Sequence, residues 1–191
     1  MTNINIQQEH LDLLAQEIED GKNTRASISN QLSRLPRGPV EIPLFNAGGI
    51  LGPWDTGYFG FGSGVAVGGS ANLTLHQDGS FNFSGHFHDS GAISYDTSFV
   101  WAVKDSNVPA TIYVFAHSGR VHGTFEAGSR DDNWGVSGTN PALHAGWSAL
   151  ERGWSWHWEA RVNADFGVFL DDIIKLVAGG SAVGNVVKLI V

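Results

Sequence analysis

The run LTLHQDGSFNFSGHFH, residues 73–88, decides the fold class. Leu73 and Leu75 fall on one face of an extended chain, and Thr74 and His76 on the other. Beyond Asp78-Gly79, Phe81, Phe83 and Phe87 share a face, while Asn82, Ser84, His86 and His88 share its opposite. Asp-Gly between two alternating runs signals a hairpin whose two central positions both take positive φ. The run therefore predicts two antiparallel strands with an aromatic, buried side and a polar side.

Downstream of the hairpin the same alternation recurs. Residues 93–103 (ISYDTSFVWAV) predict a third strand, with Phe99, Trp101 and Val103 on its more aromatic face. Residues 111–117 and 121–126 predict a second hairpin around Ser118-Gly119-Arg120, with His117 and His122 flanking the turn. In residues 154–163 Trp154, Trp156, Trp158, Ala160 and Val162 take one face, and Ser155, His157, Glu159, Arg161 and Asn163 the other. Residues 127–147 are rich in Gly, Asp and Asn and predict loop, with Trp134 to Val136 a short strand and Asn140-Pro141 starting one helical turn. After Asp165 the period changes. Phe166, Phe169, Ile173, Leu176 and Val177 recur at helical spacing, and Gly179-Gly180 ends that helix. SAVGNVVKLIV then predicts a closing strand or a second short helix.

Upstream, residues 44–70 carry nine glycines among aromatic and β-branched residues. GFGSGVAVGG lacks the Gly-Lys-Ser/Thr ending of a phosphate loop, and no helix follows it, so a strongly coiled strand is the expectation. Pro36, Pro39 and Pro43 each disfavour helix at the preceding residue and mark a linker. Before them, apolar residues at 11, 14, 18, 28, 32 and 35 keep a three-four spacing, interrupted by Gly21 and Arg25. A helical hairpin broken at Asp20-Gly21-Lys22-Asn23 is the expectation; one long helix, mediating a homo-oligomer, is its alternative. The predicted organisation is a helical appendage over 1–36, a proline-rich linker over 37–44, and an antiparallel β-sandwich or β-barrel over 45–191 with a C-terminal helix.

Composition limits the functional classes. With 191 residues, 42% hydrophobic and 16% charged, the chain can build a full core. A formal charge of −8, and no Lys or Arg between Arg37 and Lys104, argue against nucleic acid as a partner. No cysteine is present, which removes disulfides, thiol catalysis and thiolate metal sites. The first residues lack the basic and apolar regions of a secretory signal, and no apolar window spans a membrane. A soluble cytoplasmic protein is the expectation, with non-standard export as its alternative.

Two residue groups are candidates for chemistry. Trp134 with Asp131, Asp132 and Asn133 combines a ring that could stack on a sugar with carboxylates and an amide for hydroxyls. Trp54 and Trp147 are further tryptophans in Gly/Asp/Asn-rich sequence. The second group, His86, His88, His157 and Glu159, offers imidazole and carboxylate ligands to a divalent metal if the two strands meet. No nucleophile elbow or zinc-helix motif appears. A non-enzymatic binding protein for a glycan or other small polar ligand ranks first, a metal-dependent barrel enzyme second, and a membrane-active or oligomer-forming protein third.

Overall fold

The computed structural model describes residues 49–62 and 64–191. The expected N-terminal helices and the linker lie outside these residues. Strands β1 (Ile50–Asp55), β2 (Phe59–Gly60), β3 (Val67–His76), β4 (Ser80–Asp89) and β7 (Asp131–Thr139) form one sheet, in the order β1-β3-β4-β7 with β2 also on β3. Strands β8 (Trp154–Val162), β5 (Tyr95–Asp105), β6 (Ala110–Val121) and β9 (Val183–Ile190) form the second, in that order. Helix α1 (Pro141–Arg152) precedes β8, and α2 (Phe166–Ala178) precedes β9. Every pairing is antiparallel except β6 with β9, which is parallel.

Alternation fixes which faces meet. Leu73 pairs with Phe83 and Leu75 with Phe81 on the inner side of the first sheet. These pack with Phe99, Trp101, Val103, Tyr113 and Phe115 of the second sheet in one continuous core. Among the described residues the architecture is therefore a mainly β fold of two face-to-face sheets with two helices.

Large rings are accommodated by glycines opposite them. Gly85 pairs with Trp134, and a Cβ there would collide with the indole. The gap that Gly85 leaves between Phe83 and Phe87 is filled by that ring, whose centroid lies 5.8 Å from Phe83 and 5.5 Å from Phe87. Gly138 likewise faces Phe81, and Gly69 faces Phe87. Such large-small complementarity keeps an aromatic core at close-packed density.

The second sheet is covered on both sides. Val100, Ala102, Ile112, Val114 and Ala116 point away from the sandwich and pack against Phe169, Leu170 and Ile173 of α2. This explains why β5 and β6 are buried almost without interruption. Helix α2 starts on Asp165, whose carboxylate accepts from the Val168 amide, and ends on Gly179 at φ 57°. Polar contacts hold the helix too. Arg161 donates to Glu159 at 2.7 Å and to Asp172 at 3.1 Å, and its guanidinium lies 4.5 Å from the Phe169 ring. Helix α1 plugs one end of the sandwich with Leu143, Trp147 and Leu150. Its N-cap is Asn140, which accepts from the Ala142 amide at 2.8 Å, with Pro141 in the first turn.

Four local expectations change. The β3–β4 connection is not a two-residue turn: residues 77–79 lie between the strands, and only Gly79, at φ 82°, takes positive φ. Asp78 instead accepts the Ser80 amide at 2.8 Å, an Asx turn. Ser118-Gly119-Arg120 is no turn either, because pairing with β5 carries β6 straight through to Val121. The predicted strand over 121–126 is absent, and residues 122–130 connect β6 to β7. Finally, 127–147 is mostly regular structure, holding all of β7 and the first half of α1.

Gly85 and Gly135 test the large-small packing, since neither needs a glycine-only φ. Gly85→Val is expected to lower stability by about 3 kcal/mol, because the new side chain overlaps Trp134 in a filled core. Gly135→Val, with only the Ser84 Cβ at 4.0 Å, is expected to stay within about 0.5 kcal/mol of the parent in urea unfolding.

Candidate functional site

The four residues Asp131 to Trp134 divide by strand parity. β7 alternates, so Asp132 and Trp134 turn inward while Asp131 and Asn133 remain exposed on the outer face. The expectation of a loop tryptophan is thereby corrected. Trp134 is 8% exposed, packs among Phe83, Phe87 and Phe99, and cannot offer its ring to a ligand. Trp54 and Trp147 also leave the loop category. Trp54 lies in β1 against Trp154, with centroids 4.9 Å apart, and Trp147 lies in α1.

Asp132 belongs to a structural network that ties the two sheets along one side. It accepts from Thr97 Oγ1 at 2.9 Å and from His117 Nε2 at 3.0 Å. His117 Nδ1 lies 3.0 Å from the Val191 carbonyl oxygen, just past β9. Both ring nitrogens thus face acceptors, and the full set of bonds forms only when both carry hydrogen. The imidazole also stacks on Trp134 at 4.3 Å. Gly119 is glycine for this reason, since a Cβ would strike the Asp132 carboxylate. His117 and His122, expected to face each other across a turn, instead serve separate partners. His122 lies 3.7 Å from Glu126. Burial pushes the Asp132 carboxyl up, but hydrogen bonds from His117 and Thr97 outweigh it and hold it below the ordinary carboxylate range.

The four metal-ligand candidates split two and two. His86 and His88 project from the outer face of the first sheet, because Phe87 between them is in the core. His157 pairs with Ala102 and Glu159 with Val100, on the α2 side of the second sheet. The whole sandwich separates the pairs, roughly 10 Å of sheet spacing before side chains are counted. Strand β8 does not adjoin β4, so the predicted convergence fails on topology. Among the described residues no group of three or more His, Asp or Glu could hold a metal ion. Glu159 instead serves α2. Burial raises its carboxyl, and the neighbouring His157 and Arg161 more than offset this, leaving it lowered.

What the structure does assemble combines half of each predicted set. Across β3, β4 and β7, Gly68, His88 and Asp131 form one row, and Ser70, His86 and Asn133 the next. His88 Nδ1 lies 2.8 Å from Asp131 Oδ1, and His86 Nδ1 lies 3.2 Å from Ser70 Oγ. Tyr58 completes the patch. Its ring lies against Gly68, where a Cβ would collide with it, yet the residue is 76% exposed. Sequence reasoning missed Tyr58 because the surrounding glycines read as strand corner. The available signal was its place beside Phe59: an inward Phe59, packed on Phe87 and Phe99, forces its neighbour outward. None of the strands of this sheet contains Lys or Arg.

Comparison with family models, with curated proteins and with solved structures gives no match to this chain.

The Asp132 network predicts a definite acid limb. Because the folded carboxyl titrates below its unfolded value, the folded state binds fewer protons between the two. Its contribution is present above the unfolded value and is lost as pH falls through the depressed folded one. Asp132→Asn should therefore cost about 2 kcal/mol near neutral pH, and the difference from the parent should shrink on acidification, as followed by denaturant unfolding at several pH values.

Proposed function

We propose that this protein is a non-enzymatic binding module that recognises a polyhydroxylated ligand, such as a glycan, on the outer face of its first sheet. One observation carries this reading. The exposed Tyr58 ring borders a neutral and acidic surface of Ser70, His86, His88, Asp131 and Asn133. Sugars are held by stacking of their C–H faces on a ring and by hydrogen bonds to imidazole, amide, hydroxyl and carboxylate groups. The hydrogen-bonding groups sit on strands β3, β4 and β7, and Tyr58 directly precedes β2, so little ordering entropy opposes binding.

The surface chemistry supports the same ligand class. A solvent-facing sheet normally carries both charge signs, whereas here Asn72, Thr74, Asn82, Ser84, Ser137 and Thr139 extend the polar face with neutral groups. Short neutral donors and acceptors at strand spacing suit hydroxyls better than phosphates, which demand Arg or Lys. The aromatic contribution has moved from Trp134 to Tyr58, and the acidic and amide contributions remain with Asp131 and Asn133.

Screening the full chain against a glycan array in the presence of a chelator tests the reading. A bound glycan is expected, with Tyr58→Ala lowering affinity about tenfold, the loss of one stacking contact. Asn133→Ala should weaken binding as well, and neither exposed-site variant should change the thermal midpoint appreciably. No retained glycan, or equal affinity after Tyr58→Ala, would sink the proposal.

A further inference from the structure

We infer that residues 7–20 form an acidic amphipathic helix that docks on the outer face of β9, beside α2, and completes the cover of the second sheet. These residues lie outside the described part of the chain, whereas the receiving surface lies within it. The surface belongs to the sheet opposite the proposed glycan face and is independent of that reading.

Strand β9 is apolar on both sides. Val187 and Leu189 pack into the sandwich. Val183, Val186 and Ile190, paired with Ala110, Ile112 and Ala116, lie on the α2 side. A strand with two apolar faces belongs between two layers. Helix α2 supplies the outer layer over β5, β6 and β8. On β9 only Val186 packs against that layer, while Val183 and Ile190 stay exposed, Ile190 by half. Ile174 and Val177 are also incompletely buried, and they lie on the side of α2 away from Asp172, which Arg161 of β8 holds. Together these five side chains make an apolar strip along the edge strand.

Cations line the same side. Lys104 follows Val100 and Ala102 on the outer face of β5, Lys175 lies on α2, and Lys188, paired with Val114, sits within the strip. None of the three has an ion-pair partner among the described residues. Residues 1–21 supply the complement. They hold Glu9, Asp12, Glu17, Glu19 and Asp20 with no Lys or Arg, and Leu11, Leu14 and Ile18 recur at helical spacing. A helix of this length is marginal alone and is held by burial of its apolar stripe. A second copy seated edge to edge on β9 would instead bring two lysine-bearing faces together.

The connection reaches. Gly49 accepts the Gln77 amide at 2.8 Å, and the Gln77 carbonyl lies 2.8 Å from His144 of α1, so the chain enters at the α1 end of the sandwich. Strand β9 starts at that end too. Its Val183 pairs with Ala110, shortly after Ser106, whose hydroxyl donates to the Ala149 carbonyl of α1. Residues 21–48 span up to about 90 Å when extended, against about 15 Å for the width of four strands and about 10 Å between the sheets.

Because the chain contains no cysteine, introduced thiols report single contacts. In the full chain, Leu14→Cys is combined with Val183→Cys or with Ile190→Cys and treated with a short bismaleimide. A link within one chain is expected for at least one pair, read by intact mass and peptide mapping. Leu14→Cys with Ser84→Cys, on the outer face of the first sheet, should stay unlinked. Hydrogen exchange of the parent protein, which needs no substitution, should show residues 7–20 protected. Lys188→Glu should speed their exchange about tenfold while β3 and β4 keep parent rates. No link in either pair, equal linking to Ser84→Cys, or unprotected residues 7–20 in the parent overturns the inference. A link between chains overturns it as well, because a second copy would then be the occupant.

Discussion

Phe99 is the contact on which the two sheets depend. Its ring is fully buried on β5 and lies within 6.1 Å, centroid to centroid, of five other rings: Phe59, Phe83, Trp101, Trp134 and Trp158. Those five come from β2, β4, β5, β7 and β8, so one side chain touches both edges of the sandwich through its neighbours. Each ring buries a large apolar area and gains further from tilted or offset geometry. A core of this kind tolerates no empty space, which is why glycines face so many of the rings. The aromatic payload and the glycine content of the chain are thus one constraint seen from two sides.

That constraint settles where the edges close. On one side Trp54 of β1 packs on Trp154 and Trp156 of β8. On the other, His117, Asp132 and Thr97 bridge the sheets by hydrogen bonds. The second closure is polar, and its largely buried carboxylate is kept there by donors from both His117 and Thr97. Asp132 and Trp134 are consumed by this work. Their outward neighbours Asp131 and Asn133 are not, and strand parity alone makes the distinction.

Much of the fold was legible from period. Alternation in 73–88 and 154–163, and helical spacing after Asp165, correspond to β3, β4, β8 and α2. Composition misled where glycine served packing instead of turning. Gly119 looks like a turn residue, but it is small because Asp132 lies over it. Gly146 lowers the helical signal of α1, although Asn140, Pro141 and the spacing Leu143, Trp147, Leu150 announce that helix; the glycine is required because Tyr113 lies against it. Burial raises the Tyr113 phenol to about 12, with Asp105 adding to the effect. Strand order was beyond reach, since which strands adjoin depends on long-range contacts. Parity told which residues share a face of their own strand, and only topology told that β4 and β8 belong to different sheets.

Among the described residues the same topology leaves one whole sheet face uncovered. The outer face of the second sheet is spent on α2 over β5, β6 and β8, and both inner faces are spent on the core. Short polar side chains on the outer face of the first sheet contribute little to folding, since exposed hydroxyls and amides exchange one hydrogen-bond partner for another at small net gain. Tyr58 sharpens the point. An aromatic ring held three-quarters exposed over a glycine forgoes the burial that every neighbouring ring in this protein obtains. Phe59, Phe61, Phe87 and Phe99 pack around one another while Tyr58 stays in water, and the proposed surface contact rests on that contrast. The hairpin that establishes the fold with its aromatic side thus presents, through His86 and His88 on its other side, the surface where binding is to be sought.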